Sequence, residues 1–147
     1  MAKLEYRLLD EDGGYPVLYS YDGIDSGEIA ARFLCDKFIK NGQVYTKTSA
    51  AIEPLTYVVY LEPASPAENA GTPVPAAGPG VLLEIRQDWE GDNPGLIIES
   101  RQLTDAIDIV LHLGSDYFFW LGDEWLKTMT VLDEDRQAYV LYAKKTG

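Results

Sequence analysis

Apolar and polar residues alternate in short runs through the first part of the chain. Residues 4–8 alternate between apolar and charged side chains, which is the two-residue period of a half-buried strand, and residues 16–21 form a second apolar run. The acidic, glycine-containing segment 10–14 between them is typical of a turn. Further strand-like runs lie near 43–48 and 56–61. The pattern therefore predicts four strands in this part.

A helix is predicted between the second and third of these strands. Asp25 is followed three residues later by Glu28, the spacing of a capping box, and Ser26 is an alternative cap. Asn41 and Gly42 are typical of a helix end, so the helix is expected to reach them. The apolar stripe expected for this helix consists of Ile29, Ala30, Phe33, Leu34 and Phe38. The predicted order is ββαββ.

The second part of the chain shows a similar order. Residues 81–87 and 94–99 have the composition of strands. Thr104 is the predicted N-cap of a second helix, which Gly114 ends. The expected apolar stripe of this helix consists of Ile107, Val110 and Leu111. Three more strands are expected near residues 117–121, 124–132 and 137–143.

A proline- and alanine-rich segment separates the two parts. Residues 63–80 contain five of the eight prolines and no aromatic residue. Such a composition is typical of a linker or loop, because it offers little apolar surface to bury. We therefore expect a first half (1–62), a linker or loop (63–80) and a second half (81–147) within one compact domain.

The similar order of the two halves suggests an internal duplication of a ββαββ unit. A shift of 78 residues aligns 10–33 with 88–111, and a shift of 82 aligns 57–60 with 139–142. Chance similarity between two halves with like turn residues is the alternative. The predicted fold class is α+β, a mostly antiparallel sheet with two helices, and the duplication is a hypothesis within it.

Composition limits the functions open to this chain. Twelve Lys and Arg residues against 24 Asp and Glu residues give a formal net charge of −12, and 46% of the residues are hydrophobic. That hydrophobic content is ordinary for a folded domain. The charge argues against binding to nucleic acid or to an anionic membrane, because both need a basic surface.

Cysteine content and hydropathy indicate the compartment. Cys35 is the single cysteine, so an internal disulfide is excluded, and the polar start of the chain has no signal-peptide pattern. No apolar run approaches the roughly 20 residues that span a bilayer. We expect a soluble cytoplasmic protein.

The residues that most often carry catalysis are isolated in the sequence. His112 is the only histidine, and no Ser, Cys or carboxylate pattern around it suggests a catalytic set. Cys35 lies beside an apolar stripe, as a small buried hydrophobe does. Residues 88–99 copy part of a calcium loop but lack the glycine at its sixth position. We expect no enzyme activity, no metal and no cofactor.

Aromatic residues are the feature that indicates a binding surface. Residues 117–121 place aromatic side chains on both faces of one predicted strand. The core covers one face, and the other is covered either by the rest of the protein or by a ligand or partner. The candidate binding residues are Tyr19, Tyr21, Glu99, Trp120 and Trp125.

These expectations favour a non-catalytic binding or regulatory module that contacts another protein through that protein's basic surface. The first alternative is a small cationic or amphipathic ligand held in a groove between the two halves. An enzyme of unknown class is the second alternative. The sequence leaves the oligomeric state open.

Overall fold

The computed structural model describes residues 2–66, 81–88 and 95–146. The first-half elements are β1 (Ala2–Leu8), β2 (Val17–Ile24), α1 (Ser26–Phe33), β3 (Lys37–Lys40), β4 (Gln43–Glu53) and β5 (Thr56–Pro66). The second-half elements are β6 (Val81–Gln87), β7 (Ile97–Leu103), α2 (Ala106–Gly114), β8 (Tyr117–Trp120), β9 (Asp123–Asp133) and β10 (Ala138–Lys145). The predicted 63–80 linker therefore begins inside β5. Its remainder and residues 89–94 of the acidic turn lie outside the described residues.

The ten described strands belong to one mixed sheet. Their order is β2-β1-β5-β4-β3-β9-β10-β6-β7, and β8 pairs with β9 off this path. Six pairings between described strands are antiparallel, whereas β1–β5, β3–β9 and β6–β10 are parallel. The prediction of a sheet protein with two helices is confirmed, and its antiparallel character is confirmed in part.

The parallel pairing of β3 with β9 joins the two halves of the described sheet. Residues 37–39 lie opposite residues 131–133. The Asp36 N–H donates to the Thr130 carbonyl oxygen (2.9 Å), and the Thr130 N–H donates to the Asp36 carboxylate (3.0 Å). The Thr130 hydroxyl also donates to the Leu34 carbonyl oxygen at 2.9 Å. These contacts anchor β3 to a strand almost one hundred residues away in sequence.

The first helix is shorter than predicted. α1 ends at Phe33, and the segment that was expected to continue it forms β3 and the turn to β4. Asn41 and Gly42 have φ angles of 52° and 74°, which suit a two-residue hairpin turn rather than a helix end. Phe38 is buried, as expected, but it reaches the core from a strand. Pairing with β4 and β9 outweighs the local helical spacing here.

The second helix begins one residue later than predicted and buries a different face. Its N-cap is Asp105 instead of Thr104. Ile109 and Leu113 are buried, whereas the predicted core residues Ile107 and Leu111 are 55% and 62% exposed. Both pairs have helical spacing, so packing against the rest of the protein selects the buried face.

The order of elements is the same in both halves, ββαβββ. The N-caps Asp25 and Asp105 are 80 residues apart (105 − 25). Two lysines with the same separation, Lys47 and Lys127, each donate a side-chain hydrogen bond to a carbonyl oxygen near the end of the helix in their own half. The parallel pairs β1–β5 and β6–β10 also correspond. The helices therefore match at a shift of 80 residues, not 78.

One hydrophobic core is built from both halves. It contains Tyr6 and Leu61 from the first half, and Leu83 and Leu113 from the second, all at most 2% exposed. The Tyr6 and Phe38 rings stack with 4.1 Å between centroids. α1 and α2 pack against each other. The halves thus share their interior as well as their sheet.

A buried ion network lies on the other face of β6. Glu84 alternates with the core residue Leu83 and therefore points to the opposite face. The Glu84 side chain is 0% exposed and pairs with Arg86 at 3.0 Å and with Arg136. Arg136 also lies 3.6 Å from Asp133. Each of these buried charges has a counterion, which a buried charge requires.

We expect Glu84→Gln to destabilise the protein by about 3–5 kcal/mol, because the buried Arg136 and the half-buried Arg86 lose their shared counterion. Urea unfolding followed by tryptophan fluorescence measures the loss. Glu5→Gln is the matched control, since Glu5 pairs with Arg7 in β1 as Glu84 pairs with Arg86, but its side chain is 12% exposed. An equal loss of stability in both variants would contradict the assignment.

Candidate functional site

A cleft of about 900 Å³ lies between the two halves. From the first half it is lined by Asp25, Ser26, Gly27, Glu28, Ala31 and Arg32. From the second half it is lined by Val81, Leu103, Thr104, Asp105, Ala106, Ile107, Ile109, Leu132, Glu134, Gln137 and Tyr139. Both halves supply its walls, so the cleft depends on their junction.

Both helices begin at this cleft. The Asp25 carboxylate accepts from the Gly27 N–H at 3.0 Å, and the Asp105 carboxylate accepts from the Ile107 N–H at 2.9 Å. These caps satisfy N–H groups that have no partner inside a helix. A Cβ at Gly27 would lie 3.0 Å from the Ala106 Cβ, so glycine allows the two helix starts to approach closely.

A charged network lies at the cleft wall around Glu134, which follows β9 directly. Its carboxylate accepts hydrogen bonds from the Tyr21 hydroxyl (2.7 and 2.5 Å) and from the Lys40 ammonium (2.8 Å). The Arg32 Nη1 donates to the same carboxylate at 3.3 Å. Glu134 belongs to the second half and its three partners to the first, so this network also ties the halves together.

Aromatic rings hold the two cations of this network. The guanidinium carbon of Arg32 lies 4.6 Å from the Tyr21 ring centroid and 6.0 Å from that of Tyr6. The Lys40 ammonium lies 4.8 Å from the Tyr19 ring centroid. Such cation–π contacts add to the ion pairs when water is excluded. Arg32 is 8% exposed, so it is a fixed part of the cleft wall.

The surroundings lower the pKa of the carboxylate in this network and raise the pKa values of the buried tyrosines beside it. Burial opposes the charge on Glu134, but hydrogen bonds from Lys40 and Tyr21 and the charge of Arg32 outweigh it and lower the pKa of Glu134. Burial raises the pKa of Tyr6 and that of Tyr139 far above the ordinary tyrosine range. At neutral pH the carboxylate is therefore charged and both phenols are neutral.

The cleft combines negative charge with apolar surface. Among the described residues, four carboxylates line it, those of Asp25, Glu28, Asp105 and Glu134, together with one cationic side chain, that of Arg32. Its remaining side chains are mostly aliphatic or aromatic. A surface of this kind attracts a positively charged group that carries an apolar part.

Two of the predicted binding residues lie together at this network. Tyr21 bonds directly to Glu134 and stacks under Arg32. Tyr19 lies beside it, under Lys40, and its hydroxyl accepts from the Asn41 side chain at 3.1 Å. Neither tyrosine lines the cleft itself: Tyr21 supports Arg32 and Glu134, and Tyr19 supports Lys40, which pairs with Glu134.

Two others, Glu99 and Trp120, line a separate pocket of about 280 Å³ in the second half. Glu99 Oε2 lies 2.7 Å from Arg101 Nη2, an ion pair that lacks the angles of a hydrogen bond. The Arg101 guanidinium carbon lies 5.9 Å from the Trp120 ring centroid. The structure therefore does not bring the five predicted residues into one site.

Trp125, the fifth predicted residue, belongs to the core. It is 6% exposed and packs in a cluster with Ile85, Leu141 and Ala143. Its ring stacks on Phe118 with 6.4 Å between centroids. One face of the aromatic strand is thus covered by the protein itself, while the other face bears the exposed side chains of Tyr117 and Phe119.

Cys35 and His112 occupy structural positions. The Cys35 thiol donates to the Ala31 carbonyl oxygen, and burial raises the pKa of Cys35 to about 12. His112 Nδ1 lies 2.6 Å from the Asp108 carbonyl oxygen, which only accepts, so Nδ1 carries the proton. His112 Nε2 then accepts from Arg101 Nη1 at 3.0 Å. Neither residue lines the cleft.

Comparison of the chain with protein-family models, with curated proteins and with solved structures gives no match. Among the described residues, no group of three or more His, Cys, Asp or Glu side chains is arranged to hold a metal ion. In the same part of the chain, neither helix has the length and apolar character needed to cross a membrane. The cytoplasmic location stays a prediction.

Arg32 and Glu134, the two central residues of the site, are not among the binding residues predicted from the sequence. Arg32 lies outside the apolar stripe predicted for the first helix, and residue 134 follows a predicted strand in a charged segment. Their ion pair spans 102 residues. The available signal was weak: an arginine in α1 four residues from Glu28, whose carboxylate pairs with it at 3.2 Å.

We expect Glu134→Gln to lower stability at neutral pH by about 2 kcal/mol, because a charged hydrogen-bond network is lost. The folded-state pKa of Glu134 lies below its unfolded value of 4.5. Its contribution is therefore present above pH 4.5 and is lost as the pH falls through and below that value. The wild type should lose more stability than the variant on acidification, as urea unfolding at a series of pH values measures.

Glu28→Gln is the control for this experiment. Glu28 also pairs with Arg32, but its side chain is 45% exposed, so we expect a loss below about 1 kcal/mol. A wild type and a Glu134→Gln variant with parallel pH profiles would show that the Glu134 network does not stabilise the fold.

Proposed function

We propose that this protein is a non-catalytic binding module whose cleft between the halves takes a small cationic, amphipathic molecule. The observation that carries the proposal is the lining of the cleft, four carboxylates against one arginine above an apolar wall. The volume of about 900 Å³ is within the range of small-molecule sites.

The positions of the carboxylates favour a cation that enters from the helix starts. Asp25 and Asp105 each use one oxygen to cap a helix, and both residues are exposed. Deeper in the cleft, Glu134 is already neutralised by Lys40 and Arg32. An ammonium group would therefore contact the two aspartates, and its apolar part would lie on the aliphatic wall.

We also propose that the two halves arose by internal duplication. The support is the repeated ββαβββ order, the paired N-caps and the corresponding parallel strands. The Glu5–Arg7 and Glu84–Arg86 ion pairs on β1 and β6 add a matched side-chain arrangement. A cleft between duplicated units is then the natural place for a ligand that contacts both.

The second candidate function is binding of a partner protein through its basic surface. Its specific support is the exposed apolar pair Ile107 and Leu111 on α2, beside Asp105 and Asp108. A chain with a net charge of −12 also attracts a basic partner at low salt. Recovery of a partner that is lost with Leu111→Ser and at high salt would favour this candidate.

The ligand proposal predicts that 2-phenylethylammonium raises the melting temperature in a saturable way. At a concentration ten times the Kd, the expected rise is about 3–6 °C, because binding to the folded state alone stabilises it. Phenylacetate, which has the same ring with the opposite charge, should give no rise. Differential scanning fluorimetry over a concentration series measures both.

Two double variants identify the site of binding. Asp25→Asn with Asp105→Asn removes two charges from the cleft but keeps the helix caps, since asparagine is an equally good N-cap. The control, Glu11→Gln with Asp12→Asn, removes two charges from the exposed β1–β2 turn. We expect the cleft variant to lose the rise and the control to retain it. The absence of a saturable rise in the wild type, or an equal rise with phenylacetate, would sink the proposal.

A further inference from the structure

The strand pairing that joins the two halves is present at one place, although the repeated order of elements offers two equivalent places for it. In the first half, β3 lies between β4 and β9, with residues 37–39 opposite residues 131–133. The corresponding strands, 80 residues away, are β8 and the end of β4 at 51–53. Within the described ranges, β8 pairs only with β9, and residues 51–53 pair only with β5. Two strand edges that correspond to a closed junction therefore stay open.

Burial shows the consequence of the open junction. Leu132 at the closed junction is 4% exposed, whereas Ile52, which holds the corresponding position in β4, is 75% exposed. Further large apolar side chains lie exposed on β8 and on the turns next to these edges. With Ile52 they form what we call the open edge: Ile52 (75%), Leu55 (95%), Tyr117 (55%), Phe119 (74%) and Leu121 (83%).

Within the part of the chain that the structure describes, the backbone of β8 also presents unpaired groups. Trp120 pairs with Asp123 across the two-residue turn, so the backbone groups of Phe118 and Trp120 face β9. Those of Tyr117 and Phe119 face away from β9. The four residues of β8 include no charged residue and no proline, the usual protections of an edge strand.

The sequence explains why the chain does not close this junction on itself. Thr130, whose hydroxyl anchors β3, corresponds to Ala50, which has no hydroxyl. Glu134, whose N–H donates to the Ile39 carbonyl oxygen at 2.9 Å, corresponds to Pro54, which has no N–H. Two anchors of the closed junction are therefore missing from the open one.

We propose that a second copy of this chain covers the open edge. β8 of each copy would pair in parallel with residues 51–53 of the other, in the register of the β3–β9 junction. Phe118 would then lie opposite Ile52 of the second copy, as Phe38 lies opposite Leu132. Every copy carries both open strands, so the contact closes with two-fold symmetry and leaves neither edge free.

In the dimer this strand pairing forms twice and buries apolar side chains of both chains. That burial compensates for the two missing anchors. The charge of −12 on each copy opposes the association. Salt screens that repulsion, so we expect dimerisation to strengthen with ionic strength, opposite to the behaviour of a contact with a basic partner.

Sedimentation velocity over about 1–200 µM, at about 0.15 and 0.5 M NaCl, tests the proposal. The wild type should approach twice the chain mass of 16.4 kDa, and at lower concentrations in the higher salt. Phe119→Pro removes an edge N–H without touching the ladder to β9 and should remain monomeric. Phe119→Ala keeps that N–H and should dimerise at least tenfold more weakly than the wild type but more strongly than Phe119→Pro. Circular dichroism verifies that both variants fold.

Cysteine pairing tests the register. Tyr117→Cys in one copy and Ala51→Cys in the other should form a disulfide-linked pair on mild oxidation, since these positions lie opposite each other in the proposed register. Cys35 is 4% exposed and does not compete. Three results would overturn the proposal: a wild type that stays monomeric throughout, a Phe119→Pro dimer as strong as the wild type, or an intrachain disulfide when Tyr117→Cys and Ala51→Cys are combined in one chain at low concentration.

Discussion

The parallel pairing of β3 with β9 is the contact on which the rest of the described structure depends. It is where the sheet of the first half continues into that of the second. The Thr130 hydroxyl and the Asp36 carboxylate fix this pairing, and the Glu134 N–H closes it on the Ile39 carbonyl oxygen. Because Glu134 is part of the junction, its carboxylate is carried to Arg32. The charge network of the cleft is thus a consequence of how the sheet is joined.

Sequence patterns predicted those parts of the fold that depend on contacts between residues close together in the chain. Most strands and the turn at 10–14 followed from alternation and turn residues, because neighbouring strands joined by a short turn need no distant partner. The end of α1 did not follow, since Phe38 fits the helical period as well as a strand. Its partner strand β9 lies more than 90 residues further along the chain, and no local pattern shows that pairing. The buried face of α2 was missed because two apolar faces, Ile107 with Leu111 and Ile109 with Leu113, compete in the sequence.

The candidate site could be predicted only in its aromatic part. Alternation in β2 identified Tyr21, and the structure places this residue against Glu134. The charges could not be found in the same way, because Arg32 and Glu134 occur in segments whose polar residues are ordinary for a solvent-facing surface. Trp125 shows that a prediction from aromatic residues can also select a core residue. An aromatic side chain that suits a binding site suits a core equally well, and only the packing of β9 against β10 and β6 decides between them.

The two halves have the same order of elements but different surfaces, and few residues account for the difference. At the closed junction, Thr130 and Glu134 supply a hydroxyl, an N–H and a carboxylate. At the corresponding open positions, Ala50 supplies no hydroxyl, and Pro54 supplies neither an N–H nor a carboxylate. At the closed junction, Glu134 of the second half therefore pairs with Arg32 of the first and adds charge to the cleft wall. At the open positions, the aromatic strand β8 stays exposed. Since the order of elements is shared, these anchoring residues account for the structural difference between the two junctions, which makes them informative targets for mutation.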